Sequence, residues 1–137
     1  HFGASGAPDG WSDKAAFFLF YGTTEAVVVA VGFLLPVLLA RIPPTFVNIP
    51  DSQYWFEPER RDATLSFLRT YILWIESAAL LFLMAIAQIT FIVNLSGGEK
   101  MLPDYFWIVV VAFVVAMLAL AARIMLRFRR GGRQEGS

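Results

Sequence analysis

The sequence predicts an all-α integral membrane protein with three transmembrane helices. Of its 137 residues, 58% are hydrophobic, and the mean hydropathy is +0.62. A water-soluble core of this size cannot bury that much apolar surface, whereas a bilayer accepts it. Three apolar segments, 15–40, 71–95 and 105–123, are each long enough to cross a hydrocarbon layer of about 30 Å at a rise of about 1.5 Å per residue.

The basic residues are sorted around these segments and predict an orientation. Four lie between the first two segments and five lie at or beyond the end of the third: Arg41, Arg60, Arg61, Arg69, Arg123, Arg127, Arg129, Arg130 and Arg133. Short loops rich in Lys and Arg stay in the cytoplasm, so we expect the N-terminus outside and the C-terminus inside. The chain starts at His1 with a polar stretch that is not a signal peptide, and we therefore expect a fourth helix upstream.

Residues 1–14 are predicted to form an extracytoplasmic loop, because Gly3, Gly6, Pro8 and Gly10 interrupt helix and strand patterns. Either Ser12 or Asp13 is expected to cap the first transmembrane helix, 15–40.

A cytoplasmic interfacial segment, 41–70, follows the first helix. Pro43, Pro44 and Pro50 forbid a continuous helix in its first half, and Pro58 favours a helix that starts there and runs into the second span. Four side chains are expected at the membrane surface near anionic headgroups: Tyr54, Trp55, Arg60 and Arg61. A simple membrane anchor is the alternative interpretation of this segment.

The second and third spans, 71–95 and 105–123, are joined by a turn at 96–104 that is short enough to force an antiparallel hairpin. Trp74 and Trp107 fit the aromatic belts at the two membrane surfaces. The remaining residues, 124–137, form a basic cytoplasmic tail.

Two acidic residues within the spans require an account, because a charge at the bilayer centre costs about 2.5–3.5 kcal/mol on insertion scales. In an antiparallel hairpin Glu76 and Arg123 reach the same depth, which predicts an ion pair that fixes the hairpin register. A proton or ion relay at Glu76 is the alternative.

Glu25 lies near the middle of the first span. It is expected to be protonated and bonded to Thr23, Thr24 or Gln88, because burial favours the neutral carboxyl group. Alternatively it is a proton site or a partner contact, since small residues on the same helix, Gly22 and Ala26 with Ala30, form a ridge where another helix could dock.

The composition excludes several classes of function. There is no Cys and a single His, so thiolate metal sites, disulfides and bis-histidine haem ligation within the chain are excluded. Eleven basic and eleven acidic residues leave no excess positive charge for nucleic acid. No catalytic motif is present, and we expect a protein that is not an enzyme and has neither cofactor nor metal.

The opening stretch HFGASGAPDGWSDK resembles the outer loop of a bacterial membrane family of unknown function. The matching residues are His1, Phe2, Gly6, Pro8, Asp9, Trp11 and Lys14. The later stretch NIPDSQYWFEPERR is similar to a second segment of that family at Tyr54, Trp55, Pro58, Glu59 and Arg61. The family includes the Sdp-type immunity proteins, polytopic proteins that protect a cell from a secreted toxin. The resemblance implies a multi-pass protein of the bacterial inner membrane.

Two functions are compatible with these observations. The first is a non-catalytic interaction protein, immunity- or sensor-like by resemblance, whose partner-binding candidates are His1, Asp9, Trp11, Lys14, Gly22, Glu25 and Ala26. The second is an accessory or scaffold subunit of a larger membrane complex, such as a respiratory or photosynthetic assembly. Under either function, the expected partners of the protein are the lipid bilayer and other membrane helices, with no nucleic acid.

Overall fold

The computed structural model describes residues 3–7, 10–11, 13–95 and 103–131, and within these ranges the chain contains helices and no strand. The helices are α1 (Lys14–Leu39), a 3₁₀ turn (Pro44–Phe46), α2 (Ser52–Trp55), α3 (Pro58–Leu95) and α4 (Tyr105–Gly131). Three of them, α1, α3 and α4, are long and apolar enough to cross a membrane. The predicted all-helical class with three membrane helices is therefore confirmed.

The first helix is fixed at both ends by polar contacts. The Asp13 side chain accepts a hydrogen bond from the Ala16 amide at 2.7 Å, so of the two expected capping residues Asp13 is the cap. At the other end, the guanidinium of Arg61 donates to the Ala40 carbonyl at 2.5 Å. A cation at this position satisfies an unpaired terminal carbonyl and opposes the negative end of the helix dipole.

The third helix is longer than a bilayer is thick. Its 38 residues extend about 57 Å at about 1.5 Å per residue, against a hydrocarbon thickness of about 30 Å. The helix starts at Pro58, a residue with no amide hydrogen to leave unpaired in the first turn. It continues without a break through Arg69 into the apolar residues, so the interfacial helix and the second span are one element.

This long helix lies between the other two and is antiparallel to both. Near its start, Phe67 lies edge-on to Phe128 of α4 with ring centroids 5.8 Å apart. Further along, Phe82 stacks on Phe113 at 4.3 Å. On another side of α3, Glu76 meets Gly32 of α1. The packing of α3 against both neighbours holds the bundle together.

The best-packed region is the end of the bundle that carries Arg60, Arg61 and Arg127, which we call the arginine end. Its core contains four buried apolar residues, Val47, Phe56, Leu68 and Phe128. Thr64 is 1% exposed and donates from its hydroxyl to the Trp55 carbonyl at 3.0 Å. The segment between α1 and α3 is thereby folded over the ends of α3 and α4.

Candidate interaction surfaces

The loop before α1 contains a tight turn. The Gly3 amide donates to the Ala7 carbonyl and the Gly6 amide donates to the Gly3 carbonyl, both at 2.9 Å. Gly6 has a φ of 78°, a left-handed conformation that side chains disfavour. Glycine is the residue that adopts this conformation at the least steric cost.

The predicted contact residues of this loop are only partly visible. Trp11 is exposed, and Lys14 is the exposed first residue of α1. His1 and Asp9 lie outside the described residues.

One side of α1 is open around Gly22. A Cβ atom added at Gly22 would meet no atom within 4 Å. Ala26 and Ala30, the next small residues of the ridge, are also exposed. No described part of the chain therefore covers the predicted docking ridge.

The opposite situation holds ten residues further along the same helix, at Gly32. This glycine is buried, and a Cβ atom there would overlap the carboxyl group of Glu76. Because Gly32 has no side chain, the Glu76 carboxyl group of α3 occupies the space beside it. Gly32 is not among the residues predicted from the sequence; the signal available there is a glycine one heptad after Glu25, on the same helix face.

The structure corrects the proposed ion pair between Glu76 and Arg123. Arg123 is exposed, and in the described part of the chain the two side chains do not form a salt bridge. The register set by Phe82 and Phe113 places Ala119, rather than Arg123, opposite Glu76. At about 100° per residue, Glu76 also points about 120° away from Phe82, which marks the side facing α4. Glu76 faces α1 instead.

Glu25 is half-buried on the side of α1 that also carries Gly32. The hydroxyl of Thr24 donates to its own helix, at the Phe20 carbonyl, with a distance of 2.8 Å. Gln88 is exposed on α3, and Thr23 is exposed on α1. Within the described ranges, none of the three expected partners makes a hydrogen bond to Glu25.

The predicted interfacial residues lie at the arginine end. Arg60 stacks over the Tyr54 ring at 3.8 Å, donates from Nε to the Tyr54 carbonyl at 3.0 Å, and pairs with Glu57. Arg60 is therefore held by the segment before α3. Its neighbour Arg61 donates instead to the Ala40 carbonyl at the end of α1. Trp74 and Trp107 are both exposed on the helix surfaces.

Arg127 also lies at this end, although the sequence predicted no contact for it and placed it in the basic tail. The Arg127 guanidinium lies 4.4 Å from the Phe67 ring centre and 5.8 Å from that of Trp55. Its Nε atom and the Trp55 Nε1 atom are buried, and neither finds a hydrogen-bond acceptor among the residues that the structure describes. Cation–π contacts with these two aromatic rings hold Arg127 in place.

Comparison with protein-family models, curated proteins and solved structures finds no match. The surfaces must therefore be interpreted from their own chemistry. In the described residues, no group of three His, Asp or Glu side chains is arranged to hold a metal ion. What the geometry does offer is an open small-residue ridge on α1 beside a half-buried carboxyl group.

Proposed function

We propose that this chain is a non-catalytic interaction protein of the membrane, which binds another membrane protein through the Gly22 ridge of α1. The observation that carries the proposal is the contrast between two glycines of one helix. Gly32 is filled by a side chain of the same molecule, whereas Gly22 has open space in front of it. In the proposed orientation the N-terminus is outside, and the location is the bacterial cytoplasmic membrane.

An open small-residue ridge is suited to binding a helix. Helices in lipid gain little from burying apolar surface, so association depends on close backbone approach and on interhelical hydrogen bonds. Gly22 and Ala26 permit the close approach. Glu25 lies about 60° around the helix from Gly22, at the edge of the ridge towards α3, and offers a carboxyl group there to a donor or acceptor on the partner.

The loop before α1 is the second proposed contact. Its resemblance to the outer loop of Sdp-type immunity proteins suggests a role in sensing or neutralising an extracytoplasmic peptide. The proposed contact residues are His1, Asp9, Trp11 and Lys14. The exposure of Trp11 supports this part of the proposal.

An accessory subunit of a larger complex is the second candidate. It is favoured by how little the spans bury within the chain: 6% of the apolar window is buried in α1, 11% in α3 and none in α4. A permanent assembly would cover more of these surfaces.

Native mass in mild detergent, with identification of co-migrating proteins, tests both candidates. The matched variants are Gly22→Leu, which fills the ridge, and Phe20→Leu, which alters an exposed position about 160° around the same helix. We expect a partner that is lost in Gly22→Leu and retained in Phe20→Leu. A large stoichiometric assembly would identify a subunit. A partner retained equally by both variants, or none at all, would contradict binding at the ridge.

A further inference from the structure

Besides the sides that pack against α1 and α4, α3 has a third side that carries a regular stripe of exposed residues. Its members are Trp74, Ser77, Leu81, Met84, Gln88, Phe91 and Leu95, and all of them are exposed. They recur at alternating steps of three and four, the spacing by which one helix packs along another in a left-handed coiled coil. We call this set the Gln88 stripe.

The direction of the stripe follows from the two packed sides of α3. Glu76 marks the side that faces α1, and Phe82 marks the side that faces α4. At about 100° per residue, Gln88 points about 120° away from each of them. Because α1 and α4 occupy the other two sides, the stripe is the side of α3 that the described chain leaves uncovered.

The stripe has two polar members, Ser77 and Gln88, and they differ in whether their side chains form hydrogen bonds. The Ser77 hydroxyl donates to the Leu73 carbonyl of its own helix at 2.7 Å. Gln88 is exposed, and within the described ranges its carboxamide has no partner. Both the donor and the acceptor of this amide are unsatisfied on a lipid-facing surface, which is unfavourable in a medium without water.

We propose that the Gln88 stripe binds the same stripe of a second copy of this chain, in a parallel two-fold dimer. Every copy is inserted in the same orientation, so the two Gln88 residues lie at the same depth. A carboxamide is both a donor and an acceptor, and two copies related by a two-fold axis satisfy each other. The stripe carries no charge between Trp74 and Leu95, so self-association brings no like charges together.

This surface is separate from the proposed docking ridge, because it lies on α3 whereas Gly22 lies on α1. The dimer therefore goes beyond the proposed function, and either can hold without the other.

Disulfide cross-linking tests the dimer directly, because the chain has no cysteine of its own. The test position is Met84→Cys in the stripe. Its control is Val111→Cys on α4, which is equally exposed (60% and 59%). The register of Phe82 with Phe113 places Val111 at the depth of Met84, about 160° around α4 from the packed side. The oxidation is carried out on purified protein in lipid vesicles. Under these conditions a second copy of the chain is the only protein with which a cross-link can form.

The expected result is a species of twice the chain mass from Met84→Cys and little from Val111→Cys. Adding Gln88→Leu is expected to lower the dimer fraction about fivefold at limiting protein-to-lipid ratio, in line with the strength of interhelical hydrogen bonds in membranes. Gln88→Asn, which keeps a carboxamide, is expected to retain most of it.

Three outcomes would overturn the proposal. Equal cross-linking at Met84 and Val111 would indicate random collision. An unchanged dimer fraction in Gln88→Leu would remove the role of the amide. Cross-linking of Met84→Cys only in native membranes, to a species that is not twice the chain mass, would assign the stripe to a different protein.

Discussion

The two halves of α1 differ in what surrounds them. In the half near the arginine end, Gly32 is buried against Glu76, and Leu39 packs on the cluster around Phe128. In the other half, Gly22 faces open space. One half of this apolar helix therefore packs into the bundle, whereas the other half leaves a surface that no described part of the chain covers, as the proposed binding of a partner requires.

The same division extends to the whole bundle. At the arginine end, polar and aromatic contacts join all the elements: Arg61 reaches α1, Thr64 reaches the segment before α3, and Phe128 of α4 contacts Trp55 and Phe67. Towards the other end, the buried apolar residues of α3 are Ile89 and Val93. We therefore expect stability to be concentrated at the arginine end.

Replacing Phe128 by Ala is expected to give the largest effect. The side chain is 1% exposed and contacts two aromatic rings, so its removal leaves a cavity. The expected loss is about 3–5 kcal/mol of unfolding free energy. Denaturant titration in detergent measures it, with Phe20→Ala as the control because Phe20 is 67% exposed. Equal losses in the two variants would abolish the distinction between the halves.

Replacing Gly32 by Ala is expected to destabilise the bundle by about 1–3 kcal/mol, because the new methyl group displaces the Glu76 carboxyl group from its space. The matched change Gly22→Ala meets no atom and is expected to be neutral or slightly stabilising. Thermal unfolding of both variants measures the contrast.

A double variant identifies the cause of the Gly32 effect. With Glu76→Ala already present, Gly32→Ala is expected to cost little, since the overlapping group has been removed. A cost that remains in the double variant would place the strain elsewhere in the contact between α1 and α3.

Replacing Thr64 by Val is expected to cost about 1 kcal/mol, because it preserves shape while leaving the Trp55 carbonyl without its donor. Ser77→Ala is the control, since this exposed hydroxyl bonds within its own helix, and a change below about 0.5 kcal/mol is expected. Chemical unfolding followed by tryptophan fluorescence reports both. A larger loss from Ser77→Ala would contradict the packed arginine end.

Replacing Asp13 by Ala is expected to have the most local effect, about 1 kcal/mol or less, through loss of the hydrogen bond to the Ala16 amide at the start of α1. Hydrogen exchange at the start of α1 is expected to increase while exchange around Thr64 is unchanged. Faster exchange at both places would show that the two ends unfold together.

The sequence predicted the membrane helices because their length and hydropathy exceed what a soluble core requires. It also predicted Asp13 as one of two caps, and the continuation of the helix from Pro58 into the second span. These features depend on neighbours along the chain. The direction of Glu76 depends instead on which of two helices packs on that side of α3, and counting from the turn gave neither the side nor the register.

Gly32 and Arg127 were missed for a related reason. A glycine in an apolar helix is ambiguous until its neighbour is known, and an arginine in a basic tail resembles its solvated neighbours. The folded segment between α1 and α3, which brings Trp55 next to Arg127, is fixed by contacts over a long sequence separation. No local pattern reports those contacts.

The most direct test of the account is photo-cross-linking in living cells, with a benzophenone-bearing amino acid placed at Gly22 or, as the control, at Phe20. The proposed function predicts an adduct with a second protein from position 22 and none from position 20, because the partner would cover the ridge, whereas the exposed Phe20 lies about 160° around the helix from Gly22. Adducts from neither position, or equally from both, would contradict the claim that the open half of α1 is a binding surface.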